Sequence, residues 1–229
     1  MDGEIGVAGA SPKVLGHLAL HYRAGDGDLV VDLFRGLGLR VEDLGPARNG
    51  DRFFKVVIDP AVEDGFFFAA TAAPAQLAFE DAMTAACRAA DGAQALAAYR
   101  ASRVTDPESG FHIGVRYDSL DALERAVLAV QAAIADQPRL AGRMSVTRFK
   151  ARAGQDPAVD ARMAASPVFL ADDREAFGDK VVQVFVNTDV VAGGLLSLGQ
   201  TFELDYEFPG RPASYPPVRV YEGQEGAAS

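Results

Sequence analysis

The stretch Val14-Leu15-Gly16-His17-Leu18-Ala19-Leu20-His21-Tyr22 alternates with the period of a strand, placing Leu18 and Leu20 on one face and His17, Ala19 and His21 on the other. Its grammar returns in Gly110-Phe111-His112-Ile113-Gly114-Val115-Arg116-Tyr117. His17 matches His112, Leu18 matches Ile113, Leu20 matches Val115, His21 matches Arg116 and Tyr22 matches Tyr117, all at a constant offset of 95 positions. A fixed offset over several pairs marks an internal repeat, which decides the architecture before any motif is considered.

The segments that follow each copy agree. After Tyr22, residues 25–37 carry Leu29, Val30, Leu33, Phe34 and Leu37 at helical spacing, with Asp26 or Asp28 as cap and Gly36 and Gly38 as stop. Strands are expected over 39–44, 52–58 and 65–71. After Tyr117, Asp118 is expected to cap a helix whose Leu120, Leu123, Val127, Val130 and Ile134 recur at steps of three and four, ended by Pro138. Strands are then expected over 144–151, 180–189 and 200–208, separated by a long irregular stretch containing Asp156-Pro157 and Ser166-Pro167. Between the copies, the alanine-rich run from Pro74 to Ala101 favours a helical connector. A flexible linker is the alternative, and Phe79, Met83 and Leu96 argue for packing instead. The reading is α+β, with two tandem βαβββ modules forming an open, barrel-like curved sheet around a cavity. Its parts are a first module over 1–73, the connector over 74–108, a second module over 109–208 and a tail over 209–229.

Composition narrows the function classes. The chain has 229 residues, 49% hydrophobic and 24% charged, as in a globular protein. Acids outnumber lysines and arginines 32 to 22, for a net charge of −10, so a nucleic-acid partner is not expected. The single cysteine, Cys87, excludes a disulfide framework and a multi-cysteine zinc site. No run of about 18 apolar residues suggests a membrane span, and the acidic start Met1-Asp2-Gly3-Glu4 is unlike a signal peptide. A cytoplasmic protein acting on a small molecule is expected, with homodimer formation left open. No nucleotide-binding glycine motif or nucleophile elbow occurs.

Three histidines, His17, His21 and His112, leave few donors to consider. In Thr201-Phe202-Glu203-Leu204-Asp205-Tyr206-Glu207-Phe208, alternation gives Phe202, Leu204, Tyr206 and Phe208 one face and Glu203, Asp205 and Glu207 the other. If that acidic face meets the one bearing His17 and His112, two imidazoles and a carboxylate converge, an arrangement suited to an open divalent-metal site.

The module order, the openings His17-Leu18-Ala19-Leu20 and His112-Ile113-Gly114-Val115, and the closing Gly199-Gln200-Thr201-Phe202-Glu203-Leu204 together resemble the vicinal oxygen chelate superfamily. That superfamily includes glyoxalase I, type I extradiol dioxygenases and bleomycin resistance proteins. The resemblance implies a divalent ion (Fe, Mn, Zn or Ni) held by His17, His112 and Glu203. The fourth, acidic ligand usual in glyoxalase relatives has no counterpart in Phe68-Ala69-Ala70-Thr71, so the remainder is more similar to the dioxygenases.

His21 would then serve as general acid or base, and Arg116 would anchor an oxygen-rich substrate or pair with Asp205 or Glu207 for structure alone. Phe66, Phe67 and Phe68, like Tyr206, read as core. The leading expectation is a metal-dependent lyase, isomerase or dioxygenase acting on a substrate with two neighbouring oxygens. A metal-free protein that binds or sequesters a small molecule, as the bleomycin resistance branch does, is the rival, and the acidic balance suits a cationic ligand. A ferredoxin-like or dimeric barrel that mimics the pattern is the third reading.

Overall fold

The computed structural model describes residues 15–46, 51–61, 65–88 and 92–210. It is an α+β fold of two five-stranded mixed sheets and five α-helices, and among the described residues neither sheet closes into a barrel.

The first sheet is built from β1 (His17–Tyr22), β2 (Arg40–Pro46), β3 (Arg52–Val57) and β4 (Phe66–Thr71), with α1 (Gly27–Gly36) between β1 and β2. β1 runs parallel to β4, and β3 pairs antiparallel with both β4 and β2. The alternation in β1 sends Leu20 and Tyr22 to the face covered by α1, where Leu29, Val30, Leu33 and Phe34 are buried. Asp26 stands at the N-cap of α1 but makes no side-chain capping bond. It is instead clamped by Arg139 at 2.8 Å and Arg143 at 2.9 Å, which ties the start of α1 to the second half of the chain. Gly38 takes a left-handed φ of 73° just past α1, a conformation that glycine adopts without steric cost.

The connector is helical, as two helices: α2 (Pro74–Arg88) and α3 (Gly92–Thr105). Glu80 of α2 is fully buried, held by Gln76 and by the backbone N–H of Ser197. Its pairing is what makes a buried carboxylate tolerable.

The second sheet is built from β5 (Ile113–Arg116), β6 (Met144–Lys150), β7 (Arg174–Glu175), β8 (Val181–Thr188) and β10 (Gln200–Glu207), in the order β5-β10-β8-β6-β7. β5 runs parallel to β10, and β8 pairs antiparallel with β10 and β6. α4 (Leu120–Asp136) buries Leu120, Leu123, Val127 and Val130. Its cap is Ser119, whose Oγ accepts from the Ala122 N–H at 3.3 Å, and not the expected Asp118. The stretch read as irregular holds α5 (Pro157–Ala164), started by Asp156 accepting from the Ala158 N–H at 2.9 Å with proline at the first helical position. Another unexpected element is β9 (Val191–Ala192), which leaves the second half to pair with β1 at Tyr22 and His21.

The two halves share one core. Phe34 lies between Phe67 and Phe202, at ring separations of 6.0 and 5.7 Å. Gly36 approaches Val130 so closely that a Cβ there would sit 3.4 Å from its Cγ2, and the Tyr117 hydroxyl donates to the Leu37 carbonyl. The phenylalanine run behaves differently from its reading as core: Phe67 is buried at 2% exposure, while Phe66 and Phe68 point to the other face of the sheet and are half-buried. No described helix is long and apolar enough to cross a membrane.

Candidate functional site

Both sheets cover the shared core with one face, leaving His17, His21, Phe66 and Phe68 on the other face of the first sheet and Glu203, Asp205 and Glu207 on the other face of the second. The structure brings two of the three expected metal donors together. His112, in the residue just before β5, has its Nε2 2.9 Å from Oε2 of Glu203, which is 8% exposed on β10. Its Nδ1 lies 2.9 Å from the Gly110 carbonyl. Both ring nitrogens thus face an acceptor, the carbonyl on one side and the carboxylate on the other.

His17 is elsewhere. It stacks on Phe66 at 5.7 Å and meets Phe68 edge-on at 5.2 Å, within the first sheet. Among the described residues no three His, Cys, Asp or Glu side chains are grouped so as to hold an ion. The expected donor set of His17, His112 and Glu203 therefore does not fit an ion as arranged. His21 is also on the first sheet, half-buried, with Nδ1 buried and without a hydrogen-bond partner. Arg116 is exposed and pairs with Glu207.

Around the His112–Glu203 pair lies a pocket of about 210 Å³, lined chiefly by Glu108, His112, Phe177, Gln183, Glu203 and Asp205. Glu203 is its hub. Gln183 on β8 donates to Glu203 Oε1 at 2.6 Å, His112 approaches Oε2, and Asp205, two residues along the same strand face, hydrogen-bonds to Glu203. Burial first, then the charge and hydrogen bond of Glu203, push the Asp205 carboxyl up to about 8. At neutral pH Asp205 is thus mostly the protonated member of a proton-sharing pair. Burial, followed by the charges of Glu203 and Asp106, also raises the Glu108 carboxyl above its ordinary range.

Three acceptor atoms of this pocket, Glu108 Oε1, Gln183 Oε1 and Asp205 Oδ1, are buried and receive no hydrogen bond from any of the described residues. Buried acceptors without donors are uncommon, because each forfeits its hydration without replacement. Here they share one cavity. What the arrangement offers is therefore a set of acceptors awaiting donors, beside a carboxylate whose own hydrogen bonds are already made.

Glu108 and Gln183 were not among the candidates from sequence. Glu108 sits in a one-turn 3-10 helix (Pro107–Ser109) with no periodic signal, whereas Gln183 could have been found by extending the alternation of β8 opposite β10. No family model, curated protein or solved structure matches this chain.

Proposed function

We propose that this chain is a small-molecule-binding protein that works without a metal ion, and that the pocket beside β10 takes a cationic ligand rich in N–H donors, such as a primary or secondary amine. The carrying observation is the trio of donor-less buried acceptors, Glu108 Oε1, Gln183 Oε1 and Asp205 Oδ1, in one cavity with Glu203. An ammonium group entering there would supply the missing hydrogen bonds, and its charge would favour the ionised forms of Asp205 and Glu108 that burial disfavours. Phe177 on the rim offers an apolar contact for the ligand's carbon skeleton.

The vicinal oxygen chelate reading enters as part of this proposal. In its support, the strand orders β2-β3-β4-β1 and β6-β8-β10-β5 are the same when the two-residue strands β7 and β9 are set aside and each half is counted from its own first strand, and in each half the first strand runs parallel to the last. Two βαβββ modules of that family's kind, in its metal-free binding branch, account for both orders.

The test is calorimetric titration of the protein, dialysed against chelator, with putrescine and with tetramethylammonium. Saturable binding of putrescine and none of tetramethylammonium, which has charge but no N–H, is expected. Equal binding of both, or of neither, would remove the proposal. A divalent-ion enzyme is the second reading, and the proximity of His112 to Glu203 favours it. Uptake of Mn(II) or Zn(II) abolished by His17→Ala would move the assignment there.

A further inference from the structure

The face of the second sheet that bears the carboxyl pocket has an opposite chemistry at its other end. Along β10 and β8, Asp205 is registered with Gln183 in the pocket, and Thr201 is registered with Asn187 beyond it. Near Asn187 a separate cavity of about 290 Å³ is bounded by Arg100 and Arg103 of α3, Arg143, Ser145, Asn187 and Asp189.

The charges in this cavity do not balance. Its one carboxylate, Asp189, is committed to Arg143 at 2.6 Å, and Arg143 also holds Asp26. Arg103 is half-buried and donates to the Leu198 carbonyl and, at 3.1 Å, to Thr201 Oγ1. Among the described residues Arg100 makes one hydrogen bond, to the Ser197 carbonyl at a long 3.4 Å. Among the described residues neither arginine forms an ion pair, the cavity's Asp189 being paired with Arg143. Burial works against the Arg103 cation most strongly and the like charge of Arg100 adds to it, while the nearby Tyr99 and Asp189 offset part of this. A half-buried guanidinium with no carboxylate bound to it and a second, exposed guanidinium one turn away is costly, and this occurs in a chain whose acids outnumber its bases 32 to 22.

We propose that this cavity is a binding site for a phosphate group, free or as a monoester, held by Arg100 and Arg103. A guanidinium presents its N–H donors as a planar fork that matches two oxygens of a tetrahedral oxyanion. Ser145 at the rim adds a hydroxyl donor. The cavity exceeds the roughly 30 Å³ that one water occupies by a wide margin, which leaves room for the first atoms of an ester.

The experiment is titration of the full chain with inorganic phosphate and with methyl phosphate, against chloride at equal ionic strength, followed by calorimetry and by amide shifts of the 15N-labelled protein. Saturable binding is expected, with the largest shifts at Arg103, Ser145, Asn187 and Leu198. Arg100→Glu, on an exposed helix face, should weaken binding at least about tenfold with the fold intact, as loss of a charge-assisted contact implies. Arg103→Gln should do the same. Should that variant fail to fold, Arg100→Glu and the shift map still decide. No saturable binding beyond that of chloride, wild-type affinity in Arg100→Glu, or shifts centred elsewhere would overturn the proposal. A preference for methyl phosphate over phosphate would identify the anion as the end of a larger molecule.

Discussion

The outward faces of the two sheets start from equivalent sequence and reach opposite chemistry. On the first, His17, Phe53, Phe66 and Phe68 satisfy one another: Phe53 stacks on Phe68 at 5.0 Å, Phe66 meets Phe68 edge-on at 4.8 Å, and Lys55 Nζ sits 4.4 Å from the Phe66 centroid. On the second, His112 meets carboxylates, and the acceptors around them are left wanting donors. The cause is the strand paired with the histidine-bearing one. β1 lies against β4, which brings alternating phenylalanine, whereas β5 lies against β10, which brings alternating acid. A repeated histidine is thus not a repeated function, because the neighbouring strand decides what the imidazole can do.

The sharpest way to break this contrast is to remove the hub of the acidic face. Glu203→Leu should reduce putrescine binding by a factor of about 100 or more, as expected when a desolvated charged partner is lost, read by calorimetry. Binding within about threefold of wild type would show that the pocket is not the site.

A second effect is on stability. The folded protein holds on Asp205 a proton that the unfolded chain has released from about pH 4 upward, since the folded value is about 8. Stability contributed at this group is therefore full at low pH, falls as pH rises through that window and is flat above it. Asp205→Asn should remove most of the slope, Glu108 keeping a smaller one of the same sign, and make the variant more stable than wild type near pH 9 by on the order of a few kcal/mol. Urea denaturation at pH 5 and pH 9 checks this, and an unchanged slope would contradict it.

On the aromatic face, Phe68→Ala deletes contacts to three rings and should cost about 2 kcal/mol of stability, measured by denaturant midpoint, while leaving putrescine affinity unaltered. The smallest effect distinguishes the two histidines. His17→Ala should change putrescine affinity by less than about twofold and stability by no more than about 1 kcal/mol, whereas His112→Ala should weaken binding. Equal losses from both would mean that the two faces act on one ligand after all.

Much of the scaffold was legible because its cues are local. The alternation of β1 and β10 and the three-four spacing of α1 and α4 each needed only a short window. Elements set by tertiary contact were not legible. β9 is two residues long and exists only because β1 is there to pair with it, and Asp156-Pro157, placed in a partly irregular stretch, starts a helix that buries Val159 and Met163. The site was half legible for the same reason. Repeat arithmetic could find His112, and alternation could find Glu203 and Asp205. Neither could say which sheet His17 would share with which partners, since that is fixed by strand order rather than by offset.

β9 carries one more implication. A strand edge with unmet backbone groups recruits other chains, and here the edge of β1 is closed by a segment donated from between β8 and β10. A fragment ending after the connector would expose that edge. In the full chain, replacing Val191 with proline, which removes a backbone donor from this pairing, should therefore raise the tendency to self-associate.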